Sequence, residues 1–233
     1  MFKILLSNES LFLVVIIAPV LVVTAIAVWV TLRRREERAQ ELKQLAFRMS
    51  LSFKAEDRMT DSGFLSLPRL SALILSKSSG VSYFPVWNVM RKSIDDQEMI
   101  LFDCGIDKAS YTFAAFRFPS RVFPRFALRP HNVTSNILIH LSLPLGYKDV
   151  HFPARAQFSK NYILRGNDPD SIQSLFKEEV LRFFEEEQFW SADGAAEWLL
   201  VGKEDPQKGS RLTPDEIPSF LHAALNVMQL FAQ

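Results

Sequence analysis

Asp103, Cys104, Arg129 and His131 are the residues of this chain whose types could combine into a reactive set. A carboxylate and an imidazole exchange protons, a thiolate attacks carbonyls, and a guanidinium holds anions. All four flank segments with strand character: Asp103 and Cys104 close one, and Arg129-Pro130-His131 closes another. Cys104 would need a histidine or a helix N-terminus beside it to become a thiolate, and without one a free cysteine behaves as a small buried apolar residue. Burial is the expectation here. The other histidines, His140, His151 and His222, form no H-x-x-H or H-E-x-x-H spacing with His131. One cysteine cannot build a Cys-based site, so neither a metal nor a cofactor is expected. No G-x-S-x-G, P-loop or dinucleotide fingerprint occurs, and the eight glycines leave little for a phosphate-cradling loop. Asp168-Pro169-Asp170 reads as a helix cap and not as a ligand set. Asn132-Val133-Thr134 is a formal glycosylation sequon that matters only outside the cytoplasm.

A second chemistry lies in the charge pattern. Six basic residues and no Asp or Glu occur from Lys108 to Lys148, whereas Arg165 to Asp205 holds eleven acidic against four basic residues. Arg117, Arg121, Arg125 and Arg129 recur every fourth residue among Phe118, Phe123 and Phe126. Such a set could meet anionic lipid headgroups or single-stranded nucleic acid, or could face the acidic last third of the chain. A spacing of four on strands and loops does not put four side chains on one face. The intramolecular or solvated reading is therefore preferred, headgroup binding is the alternative, and nucleic acid is not an expected partner. The formal charge of +1 agrees.

The elements that hold these residues follow from hydrophobic pattern. Strands are expected at Glu98–Phe102, Ser110–Phe118 and Arg125–Arg129, the first two as a hairpin, with a strand approach at Gln157–Leu164. A loop-rich stretch precedes them, marked by Gly63, Pro68, Gly80 and Pro85, with a short helix near Leu67 to Leu75. Asn132 to Leu143 reads as a short helix. Asp168 and Pro169 start a helix carrying Ile172, Leu175, Phe176, Val180, Phe183 and Phe184. Trp198–Val201 reads as a strand after an Asp193-Gly194 turn. Thr213-Pro214-Asp215-Glu216 resembles a capping box ahead of a helix with Phe220, Leu221, Ala224, Leu225, Met228 and Phe231 on one face. The core is expected from Phe102, Phe113, Phe116, Phe126, Phe158, Phe176, Phe183, Trp198, Leu221 and Leu225. Strands and helices mix without a βαβ rhythm, which gives an α+β fold with a mainly antiparallel sheet.

Ahead of that domain, the 22 residues from Leu11 to Leu32 carry no charge, and fifteen of them are Leu, Ile, Val or Phe. As a helix they reach about 33 Å, enough for a hydrocarbon core of about 30 Å. A signal peptide cut after Ala25-Ile26-Ala27 is disfavoured, because the apolar run continues through Trp29 and its basic residues follow it. Trp29 suits the interface, and Arg33, Arg34, Arg35 and Arg38 place the following residues in the cytoplasm by the positive-inside rule. The expected organisation is a short outside segment 1–10, a membrane helix 11–32, a charged juxtamembrane helix 33–49 and a cytoplasmic domain 50–233. The bilayer is the one partner the sequence names; a protein partner is left unspecified.

Trp87-Asn88-Val89, Phe102-Asp103, Arg125-Phe126-Ala127-Leu128-Arg129-Pro130 and the run from Phe158 to Asp168 resemble a bacterial family with no assigned reaction. The resemblance implies an N-terminal membrane helix, one α+β domain and an inner-membrane setting, and it transfers no catalytic residue. The expected role is a membrane-anchored binding module. The alternative is a tethered enzyme working through Asp103, Arg129 and His131.

Overall fold

Helix α1, Asn8–Arg48, takes in the apolar run and the arginines behind it without a break. The computed structural model describes residues 8–71, 83–94, 96–106, 109–131, 146–205 and 211–233. The expected helix at Asn132 to Leu143 and part of the one at Leu67 to Leu75 lie outside them, although residues 68–71 are helical. Backbone contacts divide the chain into residues 1–44 and 45–233. In the first unit, large apolar side chains point to every side of the helix and stay exposed, from Ile17 at 46% to Val23 at 65%. The hydroxyls of Thr24 and Thr31 donate to the carbonyls of Val20 and Ala27, each at 2.7 Å, so these polar groups need no water. The helix is long and apolar enough to cross a membrane, and its apolar window is not buried in the fold.

In the second unit, the end of α1 closes as a Schellman motif. Ser50 adopts φ 55°, its N–H reaches Phe47 O at 3.1 Å, and Leu51 N–H reaches Ala46 O at 2.8 Å. The chain then enters β1 (Ser52–Met59), followed by α2 (Ser62–Leu65), β2 (Phe84–Ile94), β3 (Gln97–Ile106), β4 (Ala109–Arg117) and β5 (Phe123–Pro130). After these come β6 (Lys148–Asp149), α3 (Ala156–Asn161), β7 (Tyr162–Gly166), α4 (Pro169–Leu175), α5 (Glu178–Glu186), β8 (Trp190–Ala196), β9 (Trp198–Lys203) and α6 (Ile217–Ala232). Among the described residues the strands make one nine-stranded sheet in the order β1-β2-β3-β4-β9-β8-β5-β7-β6, with every pair antiparallel. The fold is α+β.

Each sheet face has its own aromatic core. On one, Phe64 from α2 packs edge-on against Phe102 and Trp198, at 5.8 and 5.2 Å between centroids. On the other, Phe126 meets Phe176 at 5.2 Å and Phe231 at 6.0 Å. Phe126 lies opposite Gly166 on β7 and Gly194 on β8. A Cβ on Gly194 would stand 2.1 Å from the Phe126 ring, so this glycine makes room for an aromatic. Phe102, Phe113, Phe116, Phe126, Phe158, Phe176, Trp198 and Leu221 are buried as expected, whereas Phe183 and Leu225 are half-buried and Val227 takes the place expected of Met228.

Several expected elements are corrected. Gln157–Leu164 divides into α3 and β7, with Phe158 buried from a helical turn. The helical run from Ile172 to Phe184 is two helices. It breaks at Phe176 and Lys177, whose ψ angles of 71° and 172° leave the α region, and Phe176 turns into the cluster of Phe126, Phe158 and Phe231. Asp193-Gly194 is the interior of β8 and not a turn; the reversal falls at Ala196-Glu197, with Ala196 at φ 50°. Glu216 Oε2 accepts from Thr213 N and Oγ1 at 2.8 and 2.9 Å, but α6 itself starts at Ile217. The loop-rich stretch contains β1 and β2.

Candidate functional site

Register decides which polar residues can meet. Leu101 pairs with Ala114, Ala114 with Val201, Val201 with Ala192, and Ala192 with Leu128. Paired residues share a face and neighbours along a strand alternate. Asp103, two residues from Leu101, therefore projects to the same face as Leu128, and Arg129 projects to the opposite one. The sheet separates them. Asp103 and Arg129 do not converge, and each belongs to a different buried network.

Asp103 is 1% exposed. Its Oδ2 accepts from Asn88 Nδ2 at 2.9 Å and its Oδ1 from Thr112 Oγ1 at 2.6 Å, with Arg211 Nε 3.5 Å from Oδ2. Thr112 Oγ1 in turn accepts from Leu212 N at 3.2 Å. Asn88 reaches this position from φ 52°, where β2 shifts register against β3 between Trp87 and Met90. An asparagine tolerates that backbone better than most residues. This carboxylate ties β2, β3 and β4 to the segment entering α6. Cys104, next in sequence, faces the other way into the Phe64–Phe102 core, where burial pushes its thiol up to about 12, Arg69 pulling slightly against it and Asp103 adding a little. A thiol so placed is not a nucleophile.

Arg129 is 5% exposed and pairs with Asp193 through Nη1, which also donates to Leu128 O at 2.8 Å. Asp193 Oδ2 accepts the main-chain N–H of Arg69 at 2.7 Å, and the Arg69 guanidinium pairs with Glu204. Arg69 also lies over Phe113 and Tyr111, 5.0 and 5.6 Å from their centroids. Two guanidinium groups thus balance two carboxylates in a space nearly closed to solvent. Burial alone would lower Arg69's proton affinity, but Glu204 and Asp193 outweigh it and the guanidinium lies above its ordinary value. Such a set anchors the sheet face.

His131 stands at the end of β5, where its N–H donates to Asn161 O at 2.7 Å. It lines a cleft of about 210 Å³ with His151, Phe158, Tyr162, Ile163 and Leu164. Tyr162 is held there by a 2.9 Å hydrogen bond to Glu187 O, and burial raises its phenol above the ordinary value. Among the described residues, no three His, Cys, Asp or Glu side chains are placed to hold a metal ion.

The four periodic arginines go to different places. Arg117 bonds Glu197 at 2.8 Å, Arg121 reaches the carbonyl of Phe231 and lies over Phe123 at 5.5 Å, and Arg125 is exposed. Arg129 is buried, which removes it from any headgroup surface. On α1, Arg33, Arg34 and Arg35 are exposed; Arg33 bonds Glu37 at 3.0 Å and lies 5.4 Å from the Trp29 ring centroid. Arg69, Asp193 and Glu204 carry the larger of the two networks, and none stood out in the sequence. Arg69 sits in an apolar context after Pro68, a weak signal of burial, and Asp193 was masked by the turn chemistry of Asp-Gly.

No protein-family model and no curated protein matches the chain. Among solved structures, the chain is similar to the mycobacterial trehalose monomycolate transport factor A, TtfA, at a TM-score of 0.52 and 11% identity. The likeness covers 83% of this chain and 92% of that one, and at this identity it shows a common fold.

Proposed function

We propose that this chain is a membrane-anchored binding module that assists lipid transport through a bacterial envelope. In this reading α1 crosses the inner membrane with its N-terminus outside, Arg33, Arg34, Arg35 and Arg38 hold the following residues on the cytoplasmic side, and residues 45–233 engage a partner. The observation that carries the reading is a helix with an exposed apolar run, followed by a domain whose fold is similar to that of a protein described as a trehalose monomycolate transport factor. The separation of Asp103 from Arg129 by the sheet supports binding over a reaction run by those two residues. Of the four periodic arginines Arg125 is the exposed one, and in this reading it is the one that would meet anionic headgroups.

The test is lipid flux. Cells depleted of the protein and pulse-labelled with a radioactive fatty acid are expected to retain labelled lipid in the inner membrane and to deliver less to the outer envelope. Full-length chain should restore delivery, and residues 45–233 without α1 should not. An unchanged distribution on depletion would refute the transport reading, and full rescue by the untethered part would refute the need for an anchor.

A further inference from the structure

β1 ends the sheet, and among the described residues β2 is its one strand partner. Its side chains are mostly exposed and its sequence, Ser-Phe-Lys-Ala-Glu-Asp-Arg-Met, mixes both signs of charge. An open edge of eight residues offers a row of backbone donors and acceptors, and edge charges normally repel a second strand. Here they are arranged to accept one. When a strand pairs antiparallel with its own copy, outward-facing residues bond outward-facing residues, so the two-fold axis passes through a residue and not between two. Centring on Lys54, Glu56, Asp57 or Arg58 puts a like-charged pair on the axis, and centring on Phe53 leaves little of the strand overlapped. Centring on Ala55 puts a small side chain there, sets Lys54 opposite Glu56 of the other copy twice, and overlaps residues 52–58.

We propose that β1 is a self-recognition edge through which two copies of this chain pair across an axis at Ala55. Lys54, Ala55 and Glu56 are all exposed. Lys54 bonds Asp57 at 2.6 Å in the single chain, an exposed contact that is readily exchanged for one across the axis. The pairing is two-fold, the commonest symmetry of a homodimer. Confinement by α1 raises the local concentration of β1 edges, so a modest interface suffices. The inference does not depend on the lipid-transport reading.

Cysteine cross-linking of the full chain in native membranes tests it. In the Ala55→Cys variant the two copies' residue 55 face each other about 4.5–5.5 Å apart at Cα, within disulfide reach. Native Cys104 is fully buried and does not compete. Mild oxidation is expected to give a reducible homodimer at a yield well above that of Ser120→Cys, another exposed position. Adding Lys54→Glu should cut the yield roughly fivefold, because two attractive cross-strand pairs become repulsive. Adding Glu56→Lys as well should restore it. Cross-linking at residue 55 no stronger than at residue 120, an adduct to a different protein, or no rescue by the charge swap would overturn the proposal. The flux assay is independent, since a dimer can form in a protein that moves no lipid.

Discussion

Arg129 and Asp193 show how much a buried charge depends on its partner. Removing one member leaves the other ionised in a space nearly without water, which typically costs about 3–5 kcal/mol, whereas replacing both costs far less. Arg129→Met is therefore expected to lose about 3–5 kcal/mol in urea unfolding. Arg129→Met with Asp193→Asn should recover part of that loss, because the amide oxygen still accepts Arg69's N–H without stranding a charge; strictly additive losses would contradict this account. Cys104 supplies a pH effect of definite sign. Its thiol is raised from an ordinary 9.0 to about 12, so the native state keeps a proton that the unfolded state releases. The associated stability is intact below pH 9 and declines as pH rises toward 12. Cys104→Ala should flatten the fall in urea midpoint above pH 9, and a thiol reagent should label the native protein at pH 8 no faster than the chain opens. At this scale the sequence was informative about Cys104 alone. Asp103 and Arg129 were legible as polar residues near strand ends, but a one-residue difference in alternation separates them, and only strand register reveals it.

Elements were legible where their own chemistry dictated them. β3, β4 and β5 carry Phe, Ile, Leu and Tyr, and Asp168 with Pro169 announces α4: its carboxylate accepts from Ser171 N and Oγ at 3.2 and 2.6 Å. β1 was hidden because an edge strand is charged. β8 was hidden because its small residues are chosen by what lies over them: Gly194 yields its space to Phe126, and Gly202 on β9 yields to Phe113. Two substitutions test this reading in opposite directions. Gly194→Val should lower the thermal midpoint sharply, since its Cβ would stand 2.1 Å from an enclosed ring, and such overpacking typically costs about 1–3 kcal/mol or more. Ala196→Gly, at φ 50° in the β8–β9 reversal, should raise stability by about 1 kcal/mol because the left-handed region penalises a Cβ by about that amount. If Ala196→Gly destabilises the protein, the turn is not strained in the way its dihedral indicates.

At the scale of the whole molecule, an apolar helix run left exposed contrasts with a domain whose own apolar residues are enclosed. Residues 45–233 fill both faces of one sheet without help from the apolar run, so the exposure of Val20, Leu21, Val22, Val23 and Ile26 at 54–65% finds no explanation inside the fold. Water would not tolerate so wide an apolar surface, whereas a bilayer would favour it by several kcal/mol. The full chain should therefore stay with membranes through an alkaline carbonate wash, and residues 45–233 should be released into the supernatant with the same thermal midpoint as in the intact protein. Orientation is a separate matter, governed by the proposed arginine collar. Cysteine introduced at exposed Ser120 should react with a membrane-impermeant maleimide only after permeabilisation. Replacing Arg33, Arg34, Arg35 and Arg38 by Glu should turn a measurable fraction of the chains over and make that cysteine reactive in intact cells. Labelling of the native-collar protein in intact cells would place the domain outside and reverse the proposed topology without touching the fold.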